Sequence, residues 1–205
     1  MERNLPPIPL QIAALPQDRG FPVPWVAEWN SRTQTVAVDE QFGRMLACDC
    51  APGQGRATLG VNCAVRQREA MRDRLCGTCG TAIIGPMAMV GTRDMPYSVE
   101  PGLHLDCAVF SLLACPRLVH AGGRAGLVVM DRYTLMEDRI LGVNPDRTLI
   151  RHMLPPLLGA ISGGVLAYLV AIIPSTAQRF RATDWLDANR HILTSPSPTP
   201  LEGHR

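Results

Sequence analysis

Four residues with the spacing of a zinc site constrain this chain more than any other feature. Cys76 and Cys79 form a C-x-x-C motif, and after 24 intervening residues His104 and Cys107 form an H-x-x-C motif. A structural Zn²⁺ takes four Cys or His ligands in a closed tetrahedron, and short ligand pairs joined by a longer loop are a usual sequence pattern for it. The sequence therefore predicts one structural Zn²⁺ bound by these four residues.

The second motif lies at the start of a predicted helix. A Pro-Gly turn at residues 101–102 precedes it, and the apolar residues beyond it recur at helical intervals. These residues are Leu105, Ala108, Val109 and Leu112. Residues three apart share a face of a helix, so His104 and Cys107 would both face the knuckle that contains the first motif. A knuckle followed by ligands on the first turn of a helix is the plan of a treble-clef zinc finger, which we therefore expect here.

Two other interpretations of the four residues stay open. A single C-x-x-C motif is also typical of a redox dithiol, and unligated Cys residues pack in cores as small hydrophobic groups. The redox interpretation needs a thioredoxin-like βαβ unit, which the pattern around Cys76 does not indicate. Cys115 follows Cys107 on the same predicted helix, about 12 Å further along its axis and too far to bind the same ion. We expect Cys115 to pack in the core.

Three further cysteines form a candidate second metal site. Cys48 and Cys50 make a C-x-C motif, and Cys63 follows a glycine-rich stretch at residues 51–60. No fourth ligand is evident in the sequence, so we favour the other interpretation, that residues 41–63 are an inserted loop without a metal. The glycine-rich stretch lacks the Gly-Lys-Ser/Thr ending of a phosphate-binding loop, so no nucleotide cofactor is expected.

Composition and charge exclude some classes of function. The 20 basic residues are all Arg, and the formal net charge is only +2, which gives no global attraction toward phosphate. At 46% hydrophobic residues the chain is not disordered by composition. Its cysteine count of 7 is odd, and no basic and apolar leader opens the sequence. We therefore expect a reduced, cytoplasmic setting with metal-bound thiols rather than a disulfide framework.

We expect an α+β protein of several parts. A proline-rich arm (residues 1–22) would pack on a core (23–120) that contains an N-terminal β-hairpin over 23–39 and the treble-clef-like zinc finger. A smaller C-terminal α/β part (121–194) would follow, and then a disordered tail (195–205).

Hydrophobic and charge patterns predict individual elements within these parts. A helix over residues 64–75 carries mixed charges that are typical of a solvated face. In the C-terminal part we expect a strand at 126–130, a short helix at 133–141 and a terminal helix at 180–193.

An apolar segment at residues 153–173 has two interpretations. It contains 21 residues without a charge, and this length is enough for a membrane-spanning helix. Pro155, Pro156, Gly163 and Gly164 interrupt it. The alternative is a buried strand at 165–173 behind a turn. We favour the strand, with association with a membrane as the alternative.

Several short motifs resemble those of a family of small bacterial and phage-associated proteins of unknown function. They are the proline-rich opening with P-V-P-W at residues 5–26, I-G-P-M at 84–87, E-P-G-L-H-L-D-C-A at 100–108 and A-C-P-R-L at 114–118. Members of this family also have a C-x-x-C-G knuckle, so the resemblance implies a zinc-bearing fold but supplies no activity. The chain departs from the family at Ala88 and Leu103, where relatives have Cys, so no role is implied for those extra thiols.

Three classes of function fit these features. The first is a zinc-stabilised accessory protein that binds a protein or nucleic-acid partner through the finger. The second is a metal-dependent, nuclease-like enzyme on a treble clef, for which His120 is the only nearby histidine that is not already a predicted ligand. A full set of four ligands argues against the open position of a catalytic zinc. The third is an accessory protein anchored in a membrane by residues 153–173. We favour the first and predict no catalytic residue.

Overall fold

The fold is mixed α+β and consists mostly of β-sheet. The computed structural model describes residues 6–30, 35–115, 118, 125–155 and 163–193. The helices in these ranges are α1 (Leu10–Ala13), α2 (Ala64–Asp73), α3 (Leu105–Ala114) and α4 (Ala182–Asn189), which a 3-10 helix (Arg190–Leu193) continues. The strands are β1 (Gln17–Asp18), β2 (Phe21–Pro22), β3 (Ala27–Trp29), β4 (Thr35–Asp39), β5 (Gly43–Ala47), β6 (Ala57–Asn62), β7 (Met87–Gly91), β8 (Tyr97–Ser98), β9 (Gly126–Met130), β10 (Thr134–Val143), β11 (Leu149–Leu154), β12 (Val165–Ile172) and β13 (Gln178–Arg181).

The largest sheet is built around β12. On one side β12 pairs antiparallel with β10, which pairs antiparallel with β11. On the other side β5 pairs in parallel with one end of β12, and β8 pairs antiparallel with the other end. β5 also forms a hairpin with β4. A second sheet has the strand order β13-β9-β7, and the pairs β3-β6 and β1-β2 form two smaller sheets.

Helix α2 packs against the edge of β12 between β5 and β8. Leu166 of β12 pairs with β5, and Ala171 pairs with β8, so the residues between them have no strand partner on this side. The buried side chain of Gln67 hydrogen-bonds the backbone of Leu169, and Arg68 donates to the carbonyl of Ala167. Side chains of a helix thus satisfy backbone groups that would otherwise be buried without partners.

The main core joins α2, the sheets and the C-x-x-C motif. Met71 of α2, Met89 of β7 and Leu169 of β12 belong to one buried cluster that also contains Cys76 and Cys107. Flexible methionine side chains fill irregular gaps well, which suits a chain with 9 Met and few aromatic residues. A second cluster packs α3 against α4 and includes Val109, Leu112, Trp185 and Leu186.

The hairpin predicted over residues 23–39 is not confirmed. β3 pairs antiparallel with β6 instead, and β4 pairs with β5. The β3–β6 pairing allows Trp29 to be buried with Val23 and Ala27 against Ala57, and burial of a large aromatic side chain outweighs the preference for a local turn. The stretch 41–63, expected as an inserted loop, supplies two strands, β5 and β6.

Two helix-related predictions are wrong. Of residues 133–141, predicted as a short helix, all but the first belong to the strand β10. Pairing of this strand on both sides buries Glu137 and Arg139, which form an ion pair with each other. Helix α2 exists where predicted, but only part of its charged face is solvated. Arg72 and Asp73 are exposed, whereas Arg66 and Arg68 are buried and donate to backbone carbonyls.

Other elements match the predictions. The strand at 126–130 is β9, and α4 with its 3-10 continuation occupies the predicted terminal helix. Residues 165–172 form the buried strand β12, and no helix in the described ranges is long and apolar enough to cross a membrane. The predicted tail at 195–205 and His120 lie outside the described residues.

Candidate metal centre

The C-x-x-C motif, with Cys76 and Cys79, lies in a tight turn directly after α2. Leu75 and Ala82 form an antiparallel bridge that closes this turn, and within it the amide of Cys76 donates to the carbonyl of Thr81 (2.8 Å). The amide of Gly80 donates to the carbonyl of Cys76 (2.8 Å). These bonds fold the chain back on itself, so that both Cys76 and Cys79 face the same point.

Glycine is required at position 80 for two reasons. Its φ of +78° is in the left-handed region, which L side chains rarely adopt. In addition, a Cβ at this position would lie 2.6 Å from Cγ of Trp25. The amide of Trp25 donates to the carbonyl of Thr78 (2.8 Å), so the segment before β3 packs directly on the turn.

The second metal motif begins helix α3. His104 is the N-cap residue of α3, and Cys107 is in its first turn. Leu103 pairs with Ala88 of β7 through two backbone hydrogen bonds of 2.8 and 2.9 Å, which fixes the start of the helix beside the turn. The helix dipole favours negative charge at this end, so the position suits a bound thiolate.

The structure brings all four predicted ligands together. The ligand atoms of Cys76, Cys79, His104 and Cys107 all lie within 4.8 Å of one another. The three cysteines are buried, and His104 is partly exposed. Tetrahedral Zn²⁺ with Zn–S bonds of about 2.3 Å places its sulfur atoms about 3.8 Å apart. Small side-chain rotations therefore bring this donor set to zinc geometry, and the residues fit the ion.

Neighbouring groups orient the ligands. His104 Nδ1 lies 3.4 Å from Cys79 Sγ and 4.0 Å from Cys107 Sγ, while Nε2 on the other side of the ring lies 3.1 Å from the carbonyl oxygen of Ala82. An Nε2–H that donates to this carbonyl leaves Nδ1 free to bind a metal, which is the usual arrangement of a metal-binding histidine. The hydroxyl of Thr81 lies 3.1 Å from Cys79 Sγ and can donate to the thiolate.

The proline-rich arm also reaches the site. Ile12 of α1 is fully buried in the main core. Next to it, Gln11 donates from Nε2 to the carboxylate of Asp106 and lies 3.8 Å from Cys107 Sγ. The short helix therefore covers the side of the cluster formed by α3.

Close contact between the ligands shifts their pKa values in opposite directions. Hydrogen bonds from the thiols of Cys107 and Cys76 lower the pKa of Cys79, whereas hydrogen bonding with Cys76 and Cys79 raises the pKa of Cys107. Hydrogen bonds with Cys76 and then Cys79 raise the pKa of His104 to about 10. A metal ion that binds to this cluster must displace the protons that its ligands carry.

The other cysteines are placed as follows. Cys48, Cys50 and Cys63 come together with their Sγ atoms within 4.8 Å of one another, and Cys63 is buried. Cys115 is the C-cap residue of α3, belongs to neither group and is partly exposed.

Some residues around these groups were not predicted. Arg66 donates to Cys50, and its position three residues after Cys63 is a signal that helical spacing could have given. Thr81 directly follows the C-x-x-C-G motif and was also accessible to sequence reasoning. Gln11 had no such signal, because its contact with Cys107 spans 96 positions.

The chain matches no family model, no curated protein and no solved structure. The resemblance to a family of small bacterial and phage-associated proteins therefore stays a prediction.

Proposed function

We propose that Cys76, Cys79, His104 and Cys107 bind one Zn²⁺ in a treble-clef-like unit, and that the protein is an accessory protein that binds a partner through this unit. The observation that carries the proposal is the meeting of four soft or borderline ligands in one mostly buried cluster. The turn after α2 would be the knuckle of the finger, and the first turn of α3 would supply the second ligand pair.

The ligand set favours a structural rather than a catalytic role. A catalytic zinc keeps one position for water or substrate and takes three protein ligands. Here four protein ligands would complete the tetrahedron, and the three cysteines have almost no exposed surface. The ion would then hold the turn, α3 and the arm together, because all three meet at these side chains.

Metal content and folding test the structural role. Protein purified under reducing conditions is analysed for metal by mass spectrometry, and its unfolding is followed with and without a strong zinc chelator. We expect Zn²⁺ at this site, and loss of cooperative unfolding when it is removed, since binding energy of a structural metal is folding energy. Cys76→Ser should reproduce the effect of the chelator.

The matched control is Cys115→Ser. It removes a thiol that belongs to neither cluster, so metal content and unfolding should stay as in the unchanged chain. A Cys76→Ser protein that unfolds as cooperatively as this control, without zinc at the first site, would contradict the proposal.

A protein partner fits the surface of this unit better than a nucleic acid. Ile84, which follows the turn, is 94% exposed, and Gly85 with a φ of +86° presents it at a loop tip. Pro86 lines a cleft of about 530 Å³ together with Met130 and Pro174. Asp131 and Arg132 also line this cleft, so its charges are of mixed sign rather than basic, which favours a protein over a nucleic acid as the partner.

A photo-crosslinking residue at position 84 tests the partner. The residue is introduced at position 84 of the chain in the cells that naturally express this protein. The control is a second protein that carries the same residue at position 38, where Val38 is 84% exposed. We expect one defined protein cross-link from position 84 and none from 38, and its loss in Cys76→Ser. The same products from both positions, or cross-links to nucleic acid alone, would contradict a protein partner.

A further inference from the structure

Three cysteines that come from separate parts of the chain meet at the N-terminus of α2. Cys48 and Cys50 follow β5, and Cys63 is the N-cap residue of α2, directly after β6. The amide of Cys63 donates to the carbonyl of Val26 (2.8 Å), which ties this end of the helix to the segment before β3. The meeting of the three thiols is therefore a product of the tertiary fold and not of the C-x-C motif alone.

The geometry of this group suits a metal bound by thiolates. The three Sγ atoms lie within 4.8 Å of one another, the same limit as in the first cluster. The amide of Cys50 donates to Sγ of Cys48 (3.4 Å), and an N–H bond of this kind stabilises a thiolate. Cys63 adds the positive end of the helix dipole, which also favours a thiolate.

A buried arginine gives independent support. Arg66 is 8% exposed, and its guanidinium contacts Sγ of Cys50 (3.2 Å) and the carbonyls of Cys50 and Ala27. Its Nε has no hydrogen-bond partner among the described residues. No carboxylate in the described ranges pairs with it either. A buried charge needs a compensating charge, and thiolates at Cys50 and its neighbours would supply one.

We propose that Cys48, Cys50 and Cys63 bind a second Zn²⁺, with Arg66 as its charge-compensating neighbour. One Zn²⁺ with three thiolates carries a net charge of minus one, and the guanidinium neutralises it. The ion and the four side chains would then form a neutral unit that can be buried at low cost. This inference does not rest on the proposed structural zinc, because the two clusters share no residue.

The second site differs from the first in having an open coordination position. Within the described part of the chain no fourth Cys, His, Asp or Glu joins the three thiols. Cys48 and Cys50 are partly exposed, so solvent reaches the site from their side. Three protein ligands and one exchangeable position are the pattern of a zinc that binds water or an outside ligand.

Metal stoichiometry tests the site. The full chain is freed of metal under reducing conditions, titrated with Zn²⁺ and analysed by native mass spectrometry. We expect two Zn²⁺ for the unchanged chain and for the Cys115→Ser control, and one for Cys50→Ser. An unchanged chain that is folded and takes up no more Zn²⁺ than Cys50→Ser in the presence of excess metal would overturn the proposal.

Arg66→Gln tests the compensating charge. Loss of a neighbour that supports a metal ligand typically lowers metal affinity by about 10- to 100-fold, and we expect this for the second Zn²⁺ only. Arg44→Gln is the matched control, because Arg44 is exposed on β5 and the change removes the same charge. Equal affinity of the second Zn²⁺ in both variants would contradict a role for Arg66.

Thiol protection gives a readout that needs no variant. The unchanged chain is alkylated with iodoacetamide with and without Zn²⁺, and the modified cysteines are located by peptide mass spectrometry. We expect Zn²⁺ to protect Cys48 and Cys50 and to leave Cys115, which is also partly exposed, as reactive as before. No protection, or a disulfide between two of the three cysteines in the zinc-loaded protein, would overturn the proposal.

The open position is tested by cobalt substitution. Co²⁺ takes the place of Zn²⁺, and its visible absorption reports the ligands. We expect added imidazole to change the spectrum of the unchanged chain and to leave that of Cys50→Ser, which keeps only the first site, unaltered. The same response in both proteins would show that the second site has no exchangeable position.

Discussion

The side-chain amide of Gln67 pairs with the backbone of Leu169 as a neighbouring strand would. Nε2 of Gln67 donates to the carbonyl of Leu169 (2.7 Å), and Oε1 accepts from the amide of the same residue (3.1 Å). Nε2 also donates to the carbonyl of Val99 (2.7 Å). One fully buried side chain thus connects α2 to β12, the central strand of the large sheet. Helix α2 itself begins at the cluster of Cys48, Cys50 and Cys63 and ends before the turn that carries Cys76 and Cys79.

Replacing Gln67 by Leu should destabilise the protein strongly. The change keeps a similar volume but leaves the amide and the carbonyl of Leu169 buried without these partners, and each such group costs about 1–3 kcal/mol. We expect the free energy of unfolding to fall by at least about 2 kcal/mol, measured by urea denaturation with Zn²⁺ present. Gln54→Leu, at an exposed loop position, should change it by less than about 0.5 kcal/mol. Equal losses in the two variants would contradict the strand-like role of Gln67.

Thr81→Val should weaken zinc binding at the first cluster. The substitution keeps the shape of the side chain but removes the hydroxyl that lies 3.1 Å from Cys79 Sγ. Loss of such a supporting bond typically lowers metal affinity by about 10- to 100-fold. Affinity is measured by competition with a chromophoric chelator. Thr92→Val removes an exposed hydroxyl away from the cluster and should leave the affinity unchanged; an equal effect of both changes would exclude a specific role for Thr81.

Gly80→Ala and Gly85→Ala separate two effects of an added methyl group. Both glycines have a positive φ, of +78° and +86°, so both variants pay a backbone cost of about 1–2 kcal/mol. Only at position 80 would the new Cβ also collide with Trp25, since nothing lies within 4 Å of a Cβ at position 85. We therefore expect a larger loss of unfolding free energy for Gly80→Ala, together with weaker zinc binding. Similar losses for both would mean that Trp25 moves aside freely.

The candidate metal site was predictable from sequence because its chemistry is encoded locally. The pairs Cys76/Cys79 and His104/Cys107 each lie within one turn, and the glycine after the first pair and the helix after the second pair follow from short-range rules. The two pairs come together when the 24-residue loop between them closes, and the spacing of the four ligands in the sequence already indicates this closure.

The strand pairings were not predictable in this way. The hairpin predicted over residues 23–39 would pair β3 with β4, but β3 pairs with β6, more than 25 residues further along the chain. Residues 133–141 were predicted as a short helix, although Glu137, Asp138 and Arg139 are buried in the strand β10. The pairing of strands and the burial of charged residues depend on ion pairs and on neighbouring strands. A single sequence does not show these partners, although the cross-strand neighbours decide which polar residues can be buried.

Two aspartates in the hairpin of β10 and β11 should make the stability of the protein depend on pH in opposite directions. The side chain of Asp138 in β10 is 4% exposed, and burial raises its pKa in spite of the attraction of Arg151. Asp146, in the exposed turn between the two strands, has a lowered pKa because it accepts hydrogen bonds from the side chain and the backbone of Thr148.

A carboxyl whose pKa is raised by folding binds its proton more tightly in the folded state. The stability that it contributes is therefore present at low pH and is lost as pH rises from the ordinary pKa of 3.8 through the raised value. A carboxyl with a lowered pKa contributes stability that appears as pH rises to 3.8 and is kept above it. The two aspartates should therefore respond to acid in opposite directions.

Asp138→Asn and Asp146→Asn test these signs against each other. Unfolding free energies of both variants and of the unchanged chain are compared at several values from about pH 3 to about pH 8, on both sides of the ordinary pKa of 3.8. Relative to the unchanged chain, Asp138→Asn should gain stability as pH rises, and Asp146→Asn should lose it. Only pH values at which all three proteins unfold cooperatively are compared. Any release of metal in acid would affect the three proteins alike, because neither residue belongs to a candidate metal cluster. A difference for Asp138→Asn that is constant with pH, or that has the sign of Asp146→Asn, would mean that Arg151 compensates the buried charge in full.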